Sequence, residues 1–283
     1  MTSRKQQITK LIIPLAGRGT RFFPTSLAYP KEMLHLVDQP VIQHIVEEAY
    51  QAGIREILFV LTRRKAILAD YFSDTPDKTP GELVKLIQGV KFRTIWKVST
   101  RGDGHSLWCA RKFLGPNEAF AVSMGDLLSF PGTSIFRELV GVYQKTGEAV
   151  ISVERIPKEL SAKFGIIDIA DSRGKLSRVR NISEKPKSER APSNLAMTGK
   201  YILTPEIFPY LQQLMKRQEG ELRLSAALAD FARDHVLQAY ECSGAIQDTG
   251  NKLDFLKATV TFGIHHPTFG KPLRDFIRSL KIK

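Results

Sequence analysis

Over the first half of the chain, short apolar runs closed by glycine or polar residues alternate with longer stretches whose apolar positions recur at helical spacing. Leu11 to Ala16 reads as a buried strand, because it is short, β-branched in part and followed by Gly17. Pro40 to Ala52 predicts a helix, with a proline where a first turn tolerates one and Gly53 as its stop. Glu56 to Leu61 predicts a second strand, Arg64 to Phe72 a helix, residues 73–80 a surface loop and Glu82 to Ile87 a short helix. Phe92 to Val98 and Ala119 to Met124 predict two further strands, separated by a helix from Leu107 to Leu114 that Gly115 ends. Strands and helices taking turns in this way predict parallel α/β construction, with ligands gathered at the carboxyl ends of the strands.

The pattern changes from Thr133 onward. A helix to Lys145 and a strand at Ala149 to Glu154 are followed by Lys163 to Asp168, the turn Asp171 to Gly174, and a strand at Asn194 to Leu203. Such alternation predicts an antiparallel or mixed addition to the sheet. Helices follow at Pro205 to Lys216, Glu221 to Arg233 and Lys252 to Phe262. Lys271 to Lys283 places Leu273, Phe276, Ile277 and Leu280 on one helical face opposite basic residues, a pattern that favours core or subunit packing over a membrane surface.

At 283 residues and 42% hydrophobic content, the chain is long enough and apolar enough for a full-sized core. Cys109 and Cys242 stand far apart, which gives neither a disulfide framework nor metal-ligand spacing and predicts a reducing, cytoplasmic setting. No stretch has the composition of a signal core or membrane span. The net charge of +13 raises nucleic acid as a partner, but the basic groups are scattered and lack interleaved aromatics, so small anionic substrates are the better expectation.

The candidate chemistry begins where the first strand ends. Gly17 and Gly19 let backbone approach a ligand, Arg21 stands close behind, and Lys31 sits between Pro30 and Glu32. No Gly-Lys-Ser/Thr ending makes this a Walker loop, and Phe22 occupies the place of a third Rossmann glycine. Asp126 follows the fourth strand and faces the same crevice. Asp248 is a second isolated aspartate, at a turn ahead of a helix, and Glu184-Lys185 is a carboxylate and cation held before Pro186. His105, at a helix start beside glycines, reads as a capping or packing residue rather than a base.

These pieces together resemble the bacterial UTP:glucose-1-phosphate uridylyltransferases, of the sugar nucleotidyltransferase superfamily. The matching segments are Gly17-Arg18-Gly19-Thr20-Arg21 with Pro30-Lys31-Glu32-Met33, Gly102-Asp103-Gly104-His105, Gly125-Asp126, Lys163-Phe164-Gly165, Glu184-Lys185-Pro186, Ala191 to Asn194 with Gly199-Lys200-Tyr201, and Asp248-Thr249-Gly250. The resemblance implies an α/β, Rossmann-like, mostly parallel central sheet flanked by helices, with a smaller mixed or antiparallel sugar-binding sub-domain. It implies one domain over 1–283, with a nucleotide-binding part at about 8–130, a sugar-phosphate part at about 131–250 and C-terminal helices at 251–283. Ala16, Gly17, Gly19, Thr20, Glu32, Lys97 and Gly104 would meet the nucleotide, with Arg21 and Lys31 on its triphosphate. Gly165 and Glu184 would meet glucose hydroxyls, Lys185 the sugar phosphate, and Asp126 and Asp248 would bind Mg²⁺. The implied reaction joins UTP and glucose 1-phosphate into UDP-glucose and pyrophosphate by direct in-line attack, in a homo-oligomer, dimer or tetramer.

Departures from the family pattern leave alternatives open. Lys97 stands where a glutamine reads the pyrimidine edge, which admits dTTP or another NTP in place of UTP. Leu127 replaces the second carboxylate of an Asp-Asp pair, Arg18 replaces a small or aliphatic residue, and Arg223 with Ser225-Ala226 replaces a Gln-Leu-Thr-Asp segment. The last of these, with Leu127, admits a non-catalytic nucleotide-sugar-binding paralogue.

Overall fold

A computed structural model of the protein describes residues 7–73, 79–98 and 101–280. Nine strands form one sheet: β1 (Lys10–Pro14), β2 (Glu56–Thr62), β3 (Lys91–Lys97), β4 (Phe120–Ser123), β5 (Ala149–Arg155), β6 (Gly165–Arg173), β7 (Leu176–Glu184), β8 (Leu195–Leu203) and β9 (Leu237–Glu241). In space they run β3-β2-β1-β4-β8-β5-β9-β7-β6. The first four are mutually parallel, β8 enters antiparallel between β4 and β5, β5 and β9 pair in parallel, and the β6–β7 hairpin closes the far edge. The parallel half and the mixed addition are thus continuous through β8.

Helices cover both faces, and the pleat explains why. In β1, Leu11 and Ile13 face one core while Ile12 faces the other; in β2, Ile57, Phe59 and Leu61 face the first, and Leu58 and Val60 the second. The first core is closed by α1 (Val41–Gln51), α2 (Gly81–Gly89) and α4 (Ile135–Thr146), the second by α3 (Asp103–Ala110), α5 (Ile207–Arg217) and α6 (Leu224–Asp234). Strands buried on both sides read as unbroken apolar runs, which is why the sequence discloses them so readily.

Three expectations are corrected. The helix expected at Arg64 to Phe72 is a 3-10 turn (Arg63–Lys65) and one helical turn (Ile67–Asp70), with Lys65 drawn inward by Glu32. Helix α3 begins at Asp103 rather than Leu107, because Gly102 (φ 91°) turns the chain into it and the Asp103 side chain accepts the Gly104 N–H. Helix α6 begins at Leu224 rather than Glu221, since the Leu222 N–H and C=O are taken by Arg101 and Gly104 in an extended pairing. Most of the loop expected at 73–80 and the end of the C-terminal helix lie outside the described residues. Helices α7 (Lys252–His265) and α8 (Gly270–Ser279) pack on each other through Leu273 and Gly263, while Phe276 stays 59% exposed. No helix among the described residues is long and apolar enough to cross a membrane.

One feature of α1 makes stability depend on pH. His44 lies against Phe262, with its Nδ1 2.9 Å from Gln39 Nε2. Burial pushes its pKa down to about 4, outweighing the Leu36 carbonyl and Asp38, and His266 adds to the depression. The unfolded chain takes up this proton near pH 6.5, so stability is full above that value and falls as pH drops toward 4. That interval corresponds to roughly 3 kcal/mol at about 1.4 kcal/mol per pH unit. Urea unfolding at pH 7 and pH 4.5 should show the loss, and His44→Gln should diminish it; an equal loss in the variant would assign the acid sensitivity elsewhere.

Candidate functional site

The site opens where β1 ends. The Leu15 N–H still pairs with the Val60 carbonyl, after which Ala16 to Gly19 leave the sheet as a loop. Gly19 takes the left-handed conformation (φ 66°), and Ser26 Oγ fixes the loop by donating to the Gly19 carbonyl at 2.7 Å. A cavity of about 570 Å³ lies against this loop, lined among others by Ala16, Gly17, Gly19, Lys31, Trp96 and Lys97. The Arg63 guanidinium stacks 4.5 Å over the Trp96 ring at its wall. Pro30 feeds the 3-10 turn Lys31–Met33, which points neighbouring charges in opposite directions. Lys31 lines the cavity, whereas the buried Glu32 carboxylate turns away and accepts two 2.8 Å hydrogen bonds from Lys65.

Asp126 and Asp248 meet although more than a hundred residues separate them in the chain. Leu127–Ser129 and Ile246–Asp248 form a two-stranded antiparallel sheet with Asp248 opposite Leu127, and the Thr249 N–H and hydroxyl both donate to the Asp126 carbonyl, at 2.8 and 2.9 Å. Gly250 seals the arrangement: the place a Cβ would occupy lies 2.6 Å from Asp126 Oδ2 and 2.8 Å from Asp248 Oδ1. The two carboxylates therefore crowd one small space. Burial opposes the charge of Asp126, but Lys31, ion-paired with it, and Arg21 hold its carboxyl below the usual range. Burial pushes the Asp248 carboxyl up; the Gly250 N–H works against this, and the Asp126 charge reinforces it. On Lys31 burial is likewise outweighed, by Asp126 and Glu32, and its pKa is raised. Lys31 and Arg21 favour the charge of Asp126, whereas burial and Asp126 disfavour that of Asp248, and two carboxylates crowded in this way suit a hard cation that completes its shell with water and phosphate.

Beyond the aspartates lies a second cavity, of about 270 Å³, with Arg21, Gly165, Glu184, Lys185, Tyr201 and Arg223 in its wall. Gly165 and Glu184 are paired across the β6–β7 ladder, and Gly165 approaches Glu184 Oε2 closely enough that a Cβ would sit 3.4 Å from it. Lys185 leaves β7 in the left-handed region (φ 48°), a strained conformation for lysine, with its N–H on the Phe164 carbonyl at 3.0 Å. Arg21 lines this cavity rather than the first, so it stands at the junction beside the aspartates. Leu127 packs beneath Gly199, a left-handed glycine (φ 75°) at an irregularity in β8, and thereby shapes the cavity floor.

Lys97, the last residue of β3, lines the first cavity with its Nζ 2.8 Å from His105 Nδ1 and 3.4 Å from Ser106 Oγ. Burial lowers the pKa of Lys97, and burial together with Lys97 lowers that of His105. Thr20 is exposed on the loop, and Gly104 is buried with its N–H on the Leu222 carbonyl at 2.9 Å. Ala16, Gly17, Gly19, Lys31 and Lys97 thus share one cavity, Arg21, Gly165, Glu184 and Lys185 the other, and Asp126 and Asp248 lie beside Lys31 and Arg21. Thr20, Glu32 and Gly104 line neither. Sequence reasoning missed Asp103, which accepts the Gly104 and Leu224 N–H groups, and missed that Arg223 and Ser225 reach Glu184; the departure of residues 223–226 from the family pattern was the available signal.

A mixed sheet with glycine-loop and carboxylate chemistry at the carboxyl ends of its parallel strands defines a nucleotide-handling enzyme class. The chain belongs to the Nucleotidyl transferase family, whose pattern it matches over residues 10–263. It is 39% identical to the UTP--glucose-1-phosphate uridylyltransferase of Staphylococcus haemolyticus (strain JCSC1435), over 97% of this chain and 99% of the relative. It is 37% identical to the enzyme of that name from Bacillus subtilis (strain 168), over 97% of this chain and 98% of the relative. Among solved structures it is similar to UTP-bound UGPase from Acinetobacter baumannii, with a TM-score of 0.86 and 33% identity, covering 97% of this chain and all (100%) of that one. A UDP-glucose pyrophosphorylase complexed with UDP-glucose superimposes with a TM-score of 0.85 at 31% identity, covering 90% of this chain and 98% of that one.

Proposed function

We propose that the protein transfers a uridylyl group from UTP to glucose 1-phosphate, releasing pyrophosphate and giving UDP-glucose. The observation that carries this reading is the convergence of Lys31, Arg21, Asp126 and Asp248 between a glycine-loop cavity and a second cavity lined by Gly165, Glu184 and Lys185. Relatives at 37–39% identity over nearly their full length bear the name of this activity.

The chemistry needs no protein nucleophile. A phosphate oxygen of glucose 1-phosphate is already anionic; it forms a bond to the α-phosphorus of UTP as the bond to the β-phosphate bridging oxygen breaks in line, and pyrophosphate leaves. Lys31 and Arg21 hold the triphosphate, Lys185 holds the sugar phosphate, and Glu184 with the Gly165 backbone orients the hexose. Asp126 and Asp248 are the residues that would hold Mg²⁺. When bound, the ion would supply positive charge to offset the negative charge developing on the departing pyrophosphate.

Lys97 is assigned to the base. An ammonium only donates, so it suits a pyrimidine carbonyl oxygen, and it does not register the methyl group by which thymine differs from uracil. The specific alternative is therefore the same transfer from dTTP. Pyrophosphate release with glucose 1-phosphate across a panel of NTPs tests both, with UTP expected to be the fastest. Lys97→Met should lower kcat/KM for UTP about tenfold, the worth of one charged hydrogen bond, and leave the KM for glucose 1-phosphate unchanged. Turnover with dTTP but not UTP would overturn the base assignment.

A further inference from the structure

We infer that Arg223 and Ser225 clamp the Glu184 carboxylate at the second cavity and so determine which hexose 1-phosphate is accepted, an inference that rests on the sugar-phosphate reading of that cavity. Arg223 Nη1 donates to Glu184 Oε1 at 2.7 Å and Ser225 Oγ donates to Glu184 Oε2 at 2.8 Å. Each carboxylate oxygen thus has one donor from the clamp and keeps lone-pair capacity for a substrate hydroxyl. The remaining face of the Arg223 fork is held by Glu221 Oε2, at 3.3 Å from Nε and 3.1 Å from Nη2. A planar guanidinium fixed from two sides sets the plane of the carboxylate it holds, which a lysine or glutamine does less completely.

The clamp is anchored to the nucleotide side of the crevice. The Leu222 N–H donates to the Arg101 carbonyl at 2.6 Å, the Leu222 carbonyl accepts the Gly104 N–H at 2.9 Å, and the Leu224 N–H donates to Asp103 Oδ1 at 2.9 Å. Gly104 leaves no slack, since a Cβ there would lie 2.9 Å from the Leu222 carbonyl oxygen. Residues 222–224 therefore ride on the start of α3, and Arg223 reaches Glu184 from a fixed base. The Arg223 and Glu184 side chains are 38% and 32% exposed, so the pair contributes little to stability, and its effect is to orient Glu184. A hexose hydroxyl meeting Glu184 finds an acceptor of set direction, and an epimer whose hydroxyl points elsewhere forfeits that bond. Arg223 is a positioning residue in this account.

The test is steady-state kinetics of the parent, Arg223→Gln, Arg223→Lys and Ser225→Ala with glucose 1-phosphate and galactose 1-phosphate. Arg223→Gln should raise the KM for glucose 1-phosphate about tenfold, with kcat and the KM for UTP within about twofold, and should narrow the preference for glucose over galactose 1-phosphate in kcat/KM. Arg223→Lys should recover part of both, and Ser225→Ala should show a smaller change in the same direction. An unchanged preference between the two sugars would overturn the clamp, even if KM rises, because loss of a phosphate-binding cation weakens both sugars alike. A parallel rise in the KM for UTP would also overturn it. Parent protein that releases no pyrophosphate with either sugar would contradict the transferase reading instead. Calorimetric comparison of UDP-glucose and UDP-galactose binding by parent and Arg223→Gln then decides the clamp, equal ratios in the two proteins counting against it.

Discussion

Asp126→Asn and Asp248→Asn are each expected to lose roughly 10² to 10⁴ in the rate of pyrophosphate release, equivalent to several kcal/mol of transition-state stabilisation at about 1.4 kcal/mol per decade. Both substitutions keep size and polarity and remove the charge that would hold Mg²⁺ near the triphosphate. The structure separates their effects on folding. Asp248 is repelled by Asp126 and desolvated by burial, so neutralising it relieves the folded state, and the variant should melt no lower than the parent. Asp126 is ion-paired with Lys31, so Asp126→Asn leaves a part-buried ammonium without its principal partner and should melt lower. Raising Mg²⁺ should restore little activity in either. Near-normal turnover of Asp248→Asn with unchanged thermal unfolding would remove Asp248 from the metal site.

The largest stability effect is expected at Lys200. Its side chain is wholly buried in β8, and Nζ donates to Glu48 Oε2 of α1 at 2.5 Å while standing 4.8 Å over the Phe136 ring. Glu48 Oε1 accepts the Phe136 N–H at 3.0 Å, one of the unpaired donors in the first turn of α4. A single ion pair thus joins a strand and two helices behind the second cavity, whose wall includes the neighbours of Lys200, Gly199 and Tyr201. Lys200→Met strands a buried carboxylate and should cost about 3–5 kcal/mol in urea unfolding. Lys200→Met/Glu48→Gln should cost less than the two single substitutions summed, since the double variant buries no unpaired charge. Loss below about 1 kcal/mol for Lys200→Met would show that solvent or another group already serves Glu48.

The elements that sequence reading placed correctly are those whose local pattern agrees with their environment. The strand Glu56–Thr62 is apolar on both faces because helices cover both, and Leu195–Leu203, buried throughout, is largely so apart from Thr198 and Lys200. The short strand Leu237–Glu241 went unrecognised, since it spans five residues and its pairings with β5 and β7 are tertiary. The starts of α3 and α6 were misplaced for a shared reason: residues 101–104 and 222–224 exchange hydrogen bonds, so neither boundary is encoded in its own segment alone. The candidate site residues divide in the same way. Gly17, Gly19 and Lys31 could be read from one loop, and Asp126 from its place after a strand. That Asp248 joins Asp126, which only the resemblance to a family implied, depends on the Leu127–Ser129 and Ile246–Asp248 ladder. The resemblance grouped Glu32 with the nucleotide, whereas in the structure the 3-10 turn directs its carboxylate to Lys65.

On the proposed function, the two cavities hold the two substrates of one Mg²⁺-dependent transfer. Incubation of the purified protein with UTP, glucose 1-phosphate and Mg²⁺, with UDP-glucose and pyrophosphate quantified in the same samples, tests it most directly. The two products are expected in equal amounts, with formation abolished by chelating the metal and reversed by excess pyrophosphate. Calorimetric binding of UDP-glucose with no turnover in either direction at high Mg²⁺ would contradict it and make the protein a nucleotide-sugar-binding paralogue.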